Sequence, residues 1–119
     1  STFGGNQLAM AVGNAVMDIV SSKKFLKNIE NLSKYFLFKL KNIKETYPHL
    51  IKNIRGRGFL IGIQLHKDQT TLIRRLMENR LLTIRASENF IRILTTLNVK
   101  KSELDLCLKI INKVCKELD

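Results

Sequence analysis

Two places in this chain have residue types and spacing that could do chemistry. The first is Ser1-Thr2-Phe3-Gly4-Gly5-Asn6. Two hydroxyls and two glycines stand just ahead of a helical pattern. The glycines let backbone N–H groups turn toward an anion, and a helix N-terminus favours negative charge. A plain helix start capped by Asn6 accounts for the same residues. The second place is Arg92, within Phe90-Ile91-Arg92-Ile93-Leu94. Strand alternation puts Phe90, Arg92 and Leu94 on one face and Ile91 and Ile93 on the other. On that face Arg92 either grips a carboxylate through its bidentate fork, or meets water or a structural carboxylate.

Other chemistries find no support. Two histidines and two cysteines form no recognisable metal-ligand spacing. Cys107 and Cys115 lie eight positions apart on a predicted helix, hence about 12 Å apart. A disulfide needs Cα atoms within about 7 Å, so both are expected to pack as small apolar residues, as in a reducing compartment. His49 falls in a loop and reads as solvated. No GxSxG, P-loop or GxGxxG pattern occurs. Arg57 stands alone between Gly56 and Gly58, without the basic and aromatic interleaving of a nucleic-acid platform. The net charge of +11 favours acidic partners such as nucleic acid, phosphate or a membrane surface. The lysines are scattered along helical faces, which also fits an ordinary solvated surface. No run of about 18 apolar residues suggests a membrane span, and no signal pattern opens the chain. Because it starts at Ser1 rather than at Met, it reads as a piece of a longer protein.

These residues need elements to hold them. Leu8, Val12, Ala15, Val16 and Ile19 predict a helix over 7–20, with small residues between them that allow close approach by a partner helix or subunit. Phe25, Ile29, Leu32, Phe36, Leu40, Ile43 and Tyr47 predict a second helix over 22–47, ended by Pro48. The apolar run over 54–65 reads as one strand buried on both faces, with Gly62 marking a bulge or a close approach. Asp68 is the expected cap of a third helix over 69–79, with Leu72, Ile73, Leu76 and Met77 inside. Short strands follow at 81–85 and 90–94, joined by a turn over 86–89. Ser102, with Asp105 three residues on, is the expected capping pair of a last helix. Its inner stripe is Leu104, Leu108, Ile111, Cys115 and Leu118. The fold class is therefore α+β, a small, mostly antiparallel sheet with helices packed on one side.

The order STFGGN, small-residue helix, IRGRGFLIGIQL, NFIRILTTL and closing amphipathic helix resembles the C-terminal part of class III, fold-type I aminotransferases. Within that family the likeness is greatest to the acetylornithine aminotransferases. The resemblance covers essentially the whole chain. It implies a pyridoxal 5'-phosphate enzyme of arginine biosynthesis, cytoplasmic and homodimeric, with its site shared between subunits. N-acetylornithine and 2-oxoglutarate would be its substrates, with neither nucleic acid nor membrane as partner. Residues 1–22 would lead from a large domain and bear the cofactor-phosphate loop, and 23–119 would be the C-terminal small domain. Thr2 matches the position that binds the cofactor phosphate. Ser1 matches one that contacts the substrate, and Arg92 matches an arginine that faces the substrate carboxylate. No lysine here matches the one that carries the cofactor. That residue and the acidic partner of the pyridine nitrogen are implied upstream, so the chain alone would be inactive. Two departures stand out: Gln7 replaces a usual proline, and Thr95-Thr96 replaces a frequent Pro-Pro. Related donors (ornithine, succinylornithine, succinyl-diaminopimelate, 4-aminobutyrate) stay open, as does a non-enzymatic basic module that binds nucleic acid.

Overall fold

The computed structural model describes residues 5–119. Its elements run α1 (Gln7–Val20), α2 (Lys23–Thr46), β1 (Ile51–Arg57), β2 (Leu60–Leu65), α3 (Thr70–Glu78), β3 (Ile84–Arg85), β4 (Phe90–Leu94) and α4 (Lys101–Leu118). The four strands form one sheet in the order β1-β2-β4-β3, and each neighbouring pair is antiparallel. This is the expected α+β class.

One face of the sheet is core. Ile51 and Ile54 of β1, Ile61, Ile63 and Leu65 of β2, and Ile91 and Ile93 of β4 are buried in a single cluster. Phe36, Leu40 and Ile43 of α2, Leu72 and Leu76 of α3, and six residues of α4 complete it. The other face carries Leu60, Arg92 and Leu94, all exposed. Period-two alternation with one buried side is what a half-covered antiparallel sheet requires.

The central apolar run is two strands, not one, and only one of its faces is buried. Arg57 pairs with Leu60 across a two-residue turn of Gly58 and Phe59. Gly58 has φ +59°, and positive φ at the first central position alone marks a type II′ hairpin, where glycine avoids the Cβ clash. The irregularity falls in β1, between Ile51 and Asn53, and not at Gly62. What comes close to Gly62 is a ring: a Cβ there would lie 3.2 Å from Cδ1 of Phe90.

The helix starts follow capping chemistry. The Asn6 side chain accepts from the Ala9 N–H at 2.9 Å, and the Ser22 hydroxyl accepts from the Phe25 N–H at 3.2 Å. Asp68 accepts from the Thr70 N–H at 2.8 Å, one residue ahead of the cap position, which Gln69 occupies. The last helix begins earlier than expected. Its cap position is Lys100, and Glu103 rather than Asp105 reaches back to the Lys100 N–H at 3.0 Å. Asp105 is engaged elsewhere: Tyr35 donates its hydroxyl to the carboxylate, and Lys101 donates from 3.1 Å. Those two hydrogen bonds, Tyr35 first, hold Asp105 below the usual carboxylate range, and the one from Tyr35 ties α2 to α4. Two other expectations shift. Met77 is exposed rather than inward-facing, and the strand expected over 81–85 shrinks to Ile84 and Arg85.

The helix α1 differs from the rest in having no buried residue. Leu8, Met10, Val12, Val16, Met17 and Ile19 are all exposed.

Candidate functional site

Arg92 stands where strand parity demands. Ile91 and Ile93 are fully buried, at 0% and 2% exposure. Their burial fixes the face that β4 turns inward, so the side chain between them must leave on the open face. Among the described residues no ion pair involves Arg92. The reading of Arg92 as a partner of a structural carboxylate therefore has no support in these residues.

The strand register then assembles a site around it. Gly62 pairs with Arg55 on one side and with Arg92 on the other. The three residues form one row across β1, β2 and β4. Phe90, also from the open face of β4, lies against Gly62. The Arg55 guanidinium sits over the Phe90 ring, 5.1 Å from its centroid, a cation–π contact. A cavity of about 570 Å³ opens over this row, lined by Arg55, Arg57, Gly62, Phe90 and Arg92 among others. Three of these side chains are guanidiniums, and Glu88 is the one carboxylate on the lining. Such a surface suits a carboxylate or phosphate.

The β3–β4 turn closes one side of the cavity. Glu88 and Asn89 both have positive φ, at 58° and 62°, the pattern of a type I′ turn. Gln69 pins this turn. Its buried amide donates to the Ala86 carbonyl at 2.8 Å and to the Phe90 carbonyl at 3.3 Å. From the other side, the Gln64 amide donates to the Glu88 carbonyl at 3.0 Å. Sequence reasoning missed Arg55 and Gln69. Arg55 becomes visible only when β1 is paired with β2, and nothing local in the sequence singles out Gln69.

The opening loop is only partly in view. Ser1 and Thr2 lie outside the described residues. Gly5 and Asn6, at the entry to α1, fit a phosphate. Gly5 has φ +83° with open space where a Cβ would stand, and Asn6 caps a helix that has no acidic residue in its first turn. A helix start leaves its first N–H groups without partners inside the helix, and they suit an anion.

The cysteines are withdrawn from chemistry. Both are buried as free thiols. Burial pushes Cys107 up to about 11; burial, then the nearby Asp119 carboxylate, pushes Cys115 up to about 12. The folded chain should therefore resist a thiol–disulfide reagent at pH 8, and both thiols should react once denaturant unfolds it. Because the folded-state values are raised, folding favours the neutral thiol. That contribution is complete below the ordinary thiol value of 9.0 and is lost as pH climbs through about 11 and about 12. Denaturant titrations across that range should show falling stability.

No cluster of metal-ligating side chains occurs among the described residues, and no helix described there is long and apolar enough to cross a membrane.

Known proteins match this arrangement. The family model described as "Aminotransferase class-III" matches residues 1–115. The acetylornithine aminotransferase of Oceanobacillus iheyensis is 40% identical over 118 residues, covering 99% of this chain and 29% of that protein. A crystal structure of acetylornithine aminotransferase from Elizabethkingia anophelis superposes with a TM-score of 0.86 at 35% identity, over 98% of this chain and 30% of that one. Ornithine delta-aminotransferase of Plasmodium falciparum superposes with a TM-score of 0.80 at 30% identity, over 98% of this chain and 30% of that one. The chain thus spans about three tenths of the length of the curated relatives it matches. With a family model covering nearly all of its residues and relatives matching it from end to end, the chain belongs to the class-III aminotransferases.

Proposed function

We propose that this chain is the C-terminal part of a pyridoxal-phosphate aminotransferase that moves an amino group from N-acetylornithine to 2-oxoglutarate in arginine biosynthesis. The observation that carries this reading is Arg92. In a chain whose relatives are acetylornithine aminotransferases, it is a guanidinium held on an open sheet face, above a cavity, with no ion-pair partner among the described residues. Arg92 binds the substrate carboxylate by two parallel N–H···O bonds and so orients the reacting end of the molecule. The hydroxyl and backbone of Thr2, with the start of α1, bind the cofactor phosphate, and Ser1 touches the substrate. The cofactor, carried on a lysine outside this chain, supplies the electron sink that lets the amino group move.

Residues 1–22 lead from the large domain and 23–119 form the small domain. The apolar side chains of α1, none of them buried and six of them exposed, support this division, since such a face is one that other parts of an assembly cover. The parent works as a cytoplasmic homodimer with its site shared between subunits, and the 119-residue chain alone has no turnover.

Assays of the purified parent with N-acetylornithine, ornithine, succinylornithine, succinyl-diaminopimelate and 4-aminobutyrate test the reading. N-acetylornithine should give the highest kcat/KM. A clear preference for ornithine would instead support the second reading, favoured by the match to an ornithine delta-aminotransferase. Replacing Thr2 with valine in the parent should lower cofactor retention after dialysis about tenfold or more, since it removes one hydrogen bond to a charged oxygen. The cofactor's absorbance measures this directly, and unchanged retention would refute the role of Thr2.

A further inference from the structure

We propose that Gln69 is a positioning residue: it holds the β3–β4 turn at the rim of the Arg92 cavity, and through that turn it acts on substrate binding. The inference rests on the aminotransferase reading above and adds a residue that works from beneath the site. Gln69 itself does not line the cavity. Among the described residues, Ser33 and Gln69 are the buried polar side chains. Ser33 donates its hydroxyl within its own helix, to the Glu30 carbonyl. Gln69, at 3% exposure, reaches 17 and 21 positions along the chain, to Ala86 and Phe90. A buried amide costs stability unless its hydrogen bonds are made, and both of these are made to one turn.

That turn needs holding. Glu88 and Asn89 sit at φ 58° and 62°, where the Cβ of an L residue is crowded. Asparagine tolerates this region better than glutamate does. Such backbone persists only where its surroundings fix it. Here every carbonyl from Ala86 to Phe90 accepts a hydrogen bond. Ser87 accepts from the Phe90 N–H at 3.2 Å, Asn89 from the Leu65 N–H at 3.0 Å, and Phe90 from the Ala86 N–H at 2.9 Å. The Gln64 amide donates to Glu88. Gln69 donates to Ala86 and adds a second bond to Phe90. Without Gln69 the Ala86 carbonyl loses the one donor it has among the described residues, and the strained pair is free to relax. Ala86, Ser87, Glu88 and Phe90 all line the cavity, so a relaxed turn moves its wall. A misplacement of about 1 Å caused far from the chemistry can cost about a hundredfold in rate.

The test uses the full-length holoenzyme with Gln69→Leu, alone and combined with Asn89→Gly. In Gln69→Leu, kcat/KM for N-acetylornithine should fall about tenfold or more, through KM first, while the cofactor's absorbance stays normal. Glycine holds positive φ without a Cβ clash, so Asn89→Gly should recover part of that loss and by itself change little. Gln69→Glu keeps the length and removes both N–H donors; it should show the same loss, and it stands in where Gln69→Leu does not fold. A lowered urea midpoint with unchanged kcat/KM means that the clamp only stabilises the fold, and overturns the positioning role. A loss that Asn89→Gly does not recover overturns the route through the turn. Arg92→Ala is the control in the same assay. A loss there with none in either Gln69 variant overturns this inference and leaves the aminotransferase reading standing; no loss in any of them overturns both.

Discussion

Replacing Arg92 with alanine in the parent enzyme should lower kcat/KM by about a hundredfold or more. A hydrogen bond to a charged group contributes about 1.5–3 kcal/mol, and a fork makes two of them. A loss of about 3 kcal/mol corresponds to roughly a hundredfold, at about 1.4 kcal/mol per factor of ten. Arg92→Lys keeps the charge and gives up the planar fork, so its loss should be smaller, about tenfold. The division between KM and kcat carries more information than the total. If the carboxylate is held equally in the ground state and the transition state, KM rises and kcat stays. If Arg92 also sets the angle at the reacting carbon, kcat falls with it. Steady-state kinetics with N-acetylornithine decide between these cases. An Arg92→Ala enzyme with normal kcat/KM would remove the main support for the functional reading.

The second large effect concerns folding. Ile91→Ala should destabilise the chain by about 2–5 kcal/mol, the usual cost of emptying a buried isoleucine site. Ile91 is 0% exposed, on a strand paired on both sides, with Ile63 of β2 and Arg85 of β3. Its neighbours cannot collapse into the void without moving the sheet. Leu94→Ala on the same strand should stay within about 0.5 kcal/mol, because Leu94 leaves on the open face and is 57% exposed. Urea denaturation of the two variants compares them directly. Equal losses would mean that β4 does not present one face to the core. The contrast also bears on function, since the burial of Ile91 and Ile93 is what sends Arg92 to the cavity.

Much of the helical frame was legible in the amino-acid order. Helices α1 and α2 begin and end within a residue of the expected spans, because their apolar spacing is long and their caps, Asn6 and Ser22, are local chemistry. The facing of Arg92 was legible too, since alternation along a five-residue strand needs no partner. The hairpin inside residues 54–65 was not. A Gly-Arg-Gly opening before an apolar run suits a strand start as well as a turn. Only pairing of β1 with β2 tells them apart. The start of α4 was misplaced for a related reason: Ser102 and Asp105 have the capping types, yet Glu103 reaches the chain entry and Asp105 is taken by Tyr35, seventy residues away.

The sequence alone determined the class of fold, most of the helical frame, the unpaired state of the cysteines and the family resemblance, because each follows from residue type and short-range periodicity. Tertiary structure decided the rest of the cavity: the row of Arg55, Gly62 and Arg92, the ring of Phe90 on Gly62, and the Gln69 clamp on the turn. These depend on strand register. A register is fixed by which apolar faces meet and by the turns that join them, and no single segment carries that information.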